Sequence, residues 1–119
     1  MQTQTDGQAA RSGFIDLEHL KSVTFSDQGF CVEILQVYQR QVRELVASLR
    51  KPNGSALEQE NDLHRLKGAS VGIGAFKLSQ AIEIIPVGSE KLPDDLLAEV
   101  FDLTEKTLNE IEGLLERSL

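Results

Sequence analysis

Cysteine and histidine are scarce in this chain of 119 residues, and their scarcity sets the first limits: one cysteine, Cys31, and two histidines, His19 and His64. One thiol cannot close an internal disulfide, and one cysteine with two histidines is too small a donor set for a structural zinc site. No uncharged apolar run reaches the roughly 18 residues that a membrane-spanning helix needs, so a membrane partner is not expected. Basic residues are also outnumbered, 12 Lys plus Arg against 19 Asp plus Glu, for a net charge of −7. That balance disfavours an unspecific grip on phosphate backbones or anionic lipid, and nucleic acid is not an expected partner. A glycine-rich phosphate loop of the Walker type is missing. So are the basic and apolar regions of a secretory signal and the Arg-rich pattern of a transit peptide, which makes a cytoplasmic location the expectation.

What is present fits a single globular domain. Hydrophobic residues make up 40% and charged residues 26%, too apolar for a disordered chain and too broken by charge for a membrane protein. Residues 1–13 carry no periodic pattern and are expected to form a disordered tail, with the folded domain over 14–119. From Phe14 onward apolar residues recur at steps of three and four, the spacing of helices on a shared core, and alternating strand patterns are missing.

The punctuation divides this pattern into five helices. A short entry helix is expected over Ile15 to Val23, with Leu17 and Leu20 inward. Ser26 is a candidate N-cap for a long second helix from about Asp27 to Leu49, seamed by Phe30, Ile34, Tyr38, Val42, Leu45 and Leu49 and stopped by Lys51-Pro52-Asn53-Gly54. Ser55-Ala-Leu-Glu58 has the form of a capping box and opens a third helix reaching about Ile73. Gly72 and Gly74 interrupt the pattern, and Phe76, Leu78, Ile82 and Ile85 then mark a fourth helix closed by Pro86. After a loop from Val87 to Leu92, Pro93 suits the first turn of a last helix, where Asp94 and Asp95 complement the helix dipole. Its expected seam is Leu97, Phe101, Thr104, Leu108, Ile111 and Leu115. Short connections make an all-α, antiparallel up-down-up-down four-helix bundle with an additional short N-terminal helix the simplest expectation.

The third helix separates into two faces when wound at about 100° per residue. Leu63, Leu66, Ser70 and Ile73 form an inward stripe. His64, Lys67, Gly68 and Val71 fall on the other side, so an imidazole is displayed beside an ammonium and a missing side chain. Glycine inside a helix costs about 1 kcal/mol relative to alanine, which points to something that must approach the backbone at Gly68. A lysine next to the histidine repels a metal cation but balances an anion, and neutral imidazole is a good nucleophile that could carry a phosphoryl group. On spacing alone the plain alternative, an exposed histidine on a solvated face with Glu58, Glu60 and Asp62 upstream, is favoured.

The full string His64-Arg-Leu-Lys67-Gly68-Ala-Ser70-Val-Gly-Ile-Gly74-Ala75 closely resembles the H-x-L-K-G-[AS]-[AS]-x-x-[LIV]-G-A signature of histidine-containing phosphotransfer (HPt) domains, the relay proteins of multistep phosphorelays. The resemblance extends over roughly Phe14 to Leu115. It implies a monomeric four-helix bundle that carries phosphoryl groups between aspartates of response-regulator receiver domains in two-component signalling, downstream of a hybrid sensor histidine kinase. It also implies no autonomous catalysis, no cofactor and no metal of its own, the receiver bringing Mg²⁺ and the catalytic carboxylates. Position by position, His64 is the phosphoacceptor, Lys67 the neighbouring cation and Gly68 the gap that admits the partner's active site. Ser70 and Gly74 serve packing and the turn into the fourth helix. Receiver docking is expected at Gly68, Val71 and Arg65 with apolar residues of the entry and second helices, among them Phe14, Ile15, Leu17, Leu20 and Val32. Many members carry a glutamine that orients the imidazole where this chain has Pro86, so Gln80, Glu83 or Ser89 would have to fill that role. His19, outside the motif, is expected to be an ordinary surface residue. The alternative reading is a helical adaptor that binds a receiver or kinase domain without being phosphorylated. An enzyme using His64 as general base is weaker, since no paired carboxylate or serine nucleophile accompanies it.

Overall fold

The computed structural model describes residues 13–86, 88 and 92–118. The tail expected over residues 1–13 therefore lies outside the described residues, Gly13 apart. Five helices occur in the order α1 Leu17–Val23, α2 Gln28–Leu49, α3 Ala56–Ile73, α4 Phe76–Glu83 and α5 Asp94–Ser118, and no strand occurs among the described residues. The fold is all-α. Helix α2 packs against α3 and α5, α4 bridges α3 and α5, and α1 lies on α3.

Local chemistry accounts for the helix ends. Asp16 caps α1 by accepting the His19 N–H, and Ser55 caps α3 by accepting the Glu58 N–H at 3.1 Å. For α2 the cap is Asp27, whose carboxylate accepts the Phe30 N–H at 2.9 Å, and not Ser26. Ser26 is excluded by its backbone: Phe25 and Ser26 both have left-handed φ, +55° and +56°, as the chain reverses after α1 and the Ser26 N–H returns to the Lys21 carbonyl. Helix α3 runs through Gly72 and stops at Gly74, whose φ of +85° is the left-handed cap that glycine adopts without strain. Leu97 N–H bonds to the Pro93 carbonyl, so Pro93 stands just ahead of α5.

The core is aliphatic, with Leu66, Val42, Leu78, Val100 and Ile111 fully enclosed. Two seams differ from the sequence expectation. In α2 the buried stripe is Leu35, Tyr38, Val42, Leu45 and Leu49, so Phe30 faces out and Ile34 sits at the margin. In α5 the innermost residues are Val100, Thr104, Thr107 and Ile111, while Leu97, Phe101, Leu108 and Leu115 flank them half-buried. Threonine reaches this central line because its hydroxyl is satisfied within the helix: Thr104 Oγ1 donates to the Val100 carbonyl and Thr107 Oγ1 to the Leu103 carbonyl, both at 2.7 Å.

The entry segment is held at two points. Both carboxylate oxygens of Glu110 on α5 accept backbone N–H groups, from Phe14 and Ile15, each at 2.9 Å. The Asp16 N–H donates to the Gly74 carbonyl at 2.9 Å, tying α1 to the α3–α4 turn. His19 belongs to this joint and is not the surface residue expected of it. Its ring meets Phe76 edge-on with centroids 5.1 Å apart, and its Nε2 is buried without a hydrogen-bond partner among the described residues.

Candidate functional site

Helix α3 places its side chains as its periodicity requires. Leu63, Leu66, Ser70 and Ile73 are buried, while His64, Arg65, Gly68 and Val71 are exposed and Lys67 is half-buried. The inward face is fastened by more than apolar packing. Tyr38 of α2 and Ser70 share a buried hydroxyl–hydroxyl hydrogen bond of 2.8 Å, and burial, partly offset by that bond, pushes the Tyr38 phenol up to about 12.

The outward face is open. Among the described residues a Cβ added at Gly68 or at Gly72 would meet no packing atom within 4 Å, so no contact among them requires glycine at either position. Three of the residues expected at the site meet at this face, with the His64 imidazole, the Lys67 ammonium and the bare Gly68 backbone on adjacent turns. Arg65 lies on the flank of the same helix and does not line the cavity described next.

Beside His64 is a cavity of about 130 Å³ between α3 and the end of α4, lined by Glu60, His64, Lys67, Glu83 and an apolar wall that includes Ile82, Ile85, Pro86 and Leu92. Lys67 Nζ lies 3.6 Å from Glu83 Oε1 across the two helices. Glu60, one turn before His64, accepts the Gly88 N–H and so ties the segment after α4 to α3. Of the three residues considered for orienting the imidazole, Glu83 lines the cavity, Gln80 does not, and Ser89 lies outside the described residues. Two of the acids upstream of His64 are engaged within the fold: besides Glu60, Asp62 accepts the Ser48 hydroxyl. Glu60 sits four residues before His64, a spacing that marks it as a neighbour on the same helical face.

The docking residues expected of the entry segment divide. Ile15 and Leu20 are core residues, exposed by only 1% and 3%, so the expectation that they face a partner is corrected. Their burial follows from the Glu110 clamp and the α1 joint, which press this segment against the helical core. Phe14 is half-buried beneath Lys77, whose ammonium lies 5.0 Å from the ring centroid. Leu17 packs against the core, and Val32 is half-buried. The apolar surface next to the histidine face comes from elsewhere. A groove of about 410 Å³ runs between the first half of α2 and the end of α3, with Phe30, Ile34, Val37, Ala69 and Gly72 along it. Phe25, 84% exposed, stands on the turn just before α2.

A larger concavity of about 530 Å³ lies away from this face, between residues 13–17 and α5. Its central acid, Glu110, already holds two backbone N–H groups. Among the described residues no three His, Cys, Asp or Glu side chains gather as a metal-binding group, and no helix is long and apolar enough to cross a membrane. Cys31 is half-buried, and burial pushes its thiol up, the opposite of an activated thiolate. Comparison with protein-family models, with curated proteins and with solved structures finds no match.

Proposed function

We propose that this chain is a histidine phosphotransfer protein, relaying a phosphoryl group between His64 and aspartates of response-regulator receiver domains, with a hybrid sensor histidine kinase upstream. The observation that carries the proposal is the outward face of α3. An exposed imidazole stands beside an ammonium and one turn from a glycine for which the protein's own packing gives no reason. The arrangement suits transfer to and from a macromolecular partner. Phosphoryl transfer needs a metal clamp and a positioned carboxylate on the approaching group, and in this reading the receiver brings both, while the chain supplies a nucleophile on a rigid helix. The lone pair of a ring nitrogen forms the N–P bond, the P–O bond to the receiver's aspartate breaks, the carboxylate leaves with the electron pair, and the imidazole proton passes to solvent.

The helix contacts support an antiparallel up-down-up-down four-helix bundle of α2, α3, α4 and α5, since each of the four packs on two others in a closed ring and α1 is added at one edge. The proposal places the protein in the cytoplasm as a monomer. The apolar groove of α2 and α3 borders the His64 face and is the surface offered to the receiver, with Val71, 41% exposed, on the same helix.

A helical adaptor that binds a receiver or kinase without turning over draws on the same groove, and one assay separates the two. Incubation of the full chain with a phosphorylated receiver should label the wild type with an acid-labile, base-stable phosphate and leave His64→Gln unlabelled. Label persisting in His64→Gln sinks the assignment of the acceptor. Receiver binding without label in the wild type establishes the adaptor.

A further inference from the structure

Among the described residues Lys67 is the only lysine or arginine lining the cavity beside His64, and it is shared. Its ammonium lies 3.6 Å from the Glu83 carboxylate, and both lie on the wall that His64 completes. The remaining charged group of the cavity among the described residues, Glu60, has its carboxylate on the Gly88 N–H. The Lys67 and Glu83 side chains are 36% and 68% exposed. Pairs this open shift an equilibrium by only about two- to five-fold, so the contact is breakable and Lys67 can be drawn elsewhere.

A phosphoryl group on His64 adds about two negative charges within reach of the same ammonium. One cation then faces two anionic claimants from opposite sides, the phosphoryl oxygens on α3 and the carboxylate on α4. We propose that Glu83 is a positioning residue that competes with the phosphoryl group for Lys67: it holds the ammonium while His64 is free, and gives up part of that contact once His64 is loaded. The inference rests on His64 as the phosphoacceptor. Its consequence is thermodynamic. The Lys67–Glu83 contact stabilises the unloaded state and is weakened in the loaded one, so Glu83 raises the free energy of phosphohistidine and keeps the group transferable. A cation free to serve the phosphoryl group alone would hold it more tightly.

Phosphoramidate as donor tests this without any receiver. The P–N bond to ammonia breaks as the P–N bond to the imidazole forms, and the imidazole proton leaves on the ammonia. The full chain is brought to equilibrium with phosphoramidate in ammonium buffer from both directions. The ratio of loaded to free His64 is read by phosphorus nuclear magnetic resonance, with His64→Gln as the blank. Glu83→Gln should raise that ratio about two- to five-fold, Lys67→Met should lower it, and in the Lys67→Met background Glu83→Gln should have an effect near one-fold. The double variant carries the decision, because a merely structural Glu83 would not lose its effect when Lys67 is removed. A Glu83→Gln ratio equal to wild type, or one raised equally in both backgrounds, overturns this proposal and leaves His64 as acceptor. A wild type that takes no label at His64 under phosphoramidate overturns both readings.

Discussion

Gly68→Ala and Gly74→Ala replace glycines six positions apart with the same methyl group, and the structure gives the two changes opposite signs. At Gly68 the backbone is helical and, among the described residues, the added carbon meets no packing atom within 4 Å. The only change is helix propensity, worth about 1 kcal/mol in favour of alanine, so the variant should be more stable by about 0.5–1 kcal/mol. At Gly74 the backbone has φ +85°, and a Cβ would stand 2.9 Å from the Asp16 carbonyl oxygen and 3.3 Å from His19 Cβ and Cδ2. Left-handed geometry costs alanine about 1–2 kcal/mol. The contact with Asp16 is to backbone, which cannot withdraw without loosening the 2.9 Å bond from the Asp16 N–H to the Gly74 carbonyl, worth about another 1 kcal/mol.

A loss of about 2–3 kcal/mol follows for Gly74→Ala, or a fall in Tm on the order of 10 °C for a domain of this size. Urea and thermal unfolding followed by far-ultraviolet circular dichroism measure both variants. Under the proposed function the effects should divide the other way: Gly68→Gln should melt close to wild type and yet slow phosphoryl transfer from a receiver, since the added side chain would stand where the receiver is proposed to dock. A Gly74→Ala protein as stable as wild type would refute the tight joint between α1 and the α3–α4 turn. A Gly68→Ala protein destabilised by more than about 0.5 kcal/mol would show that the space beside Gly68 is occupied within the fold.

Two further outcomes follow from buried polar contacts. Tyr38 is the sole tyrosine in a chain without tryptophan, so its ionisation can be read directly by ultraviolet absorbance. Its phenol is raised from 10 to about 12, chiefly by burial, so its contribution is whole below pH 10. That contribution, about 2–3 kcal/mol, is lost as the pH rises through 12, because the unfolded chain releases the proton first. Tyr38→Phe should flatten that alkaline decline, and a folded-state tyrosinate midpoint near 10 would contradict the burial. Glu110→Gln should cost about 1–3 kcal/mol by denaturation and speed hydrogen exchange at the Phe14 and Ile15 amides; unchanged exchange there would mean that the clamp does not form in solution.

What could be read in advance was what is local. The bounds of α3 are written in Ser55 and Gly74, a hydroxyl cap at one end and a left-handed glycine at the other, and its two faces follow from a single rotation per residue. The α5 seam was harder to read because apolar size misleads there. The large residues Leu97, Phe101 and Leu108 flank a narrower central line on which threonines are admitted by bonds to their own helix. Contacts between distant parts of the chain left no periodic trace. The Glu110 carboxylate reaches Phe14 and Ile15 from more than ninety residues away, and this clamp turned an expected docking residue, Ile15, into core. The Lys67–Glu83 pair joins two helices across the turn at Gly74, so spacing along α3 alone could not reveal it.

The openness of the His64 face depends on the closed face behind it. Helix α3 has 18 residues and carries exposed glycines at 68 and 72, each costing about 1 kcal/mol of helix propensity. In proteins most helical stability comes from packing and not from propensity, so a helix with two such glycines persists through its neighbours. Leu63, Leu66 and Ile73 supply the apolar part of that hold, and Ser70 supplies direction. With Leu66 and Ser70 both at 0% exposure and the Ser70 hydroxyl bonded to Tyr38, turning α3 by one residue, about 100°, would expose Leu66 and leave the buried Tyr38 hydroxyl without its partner at about 1–3 kcal/mol. That penalty keeps α3 in one rotational setting against α2, and the same setting is the one that turns His64, Gly68 and Val71 outward. Ser70 and Tyr38 do not line the cavity beside His64, yet they fix where its imidazole points.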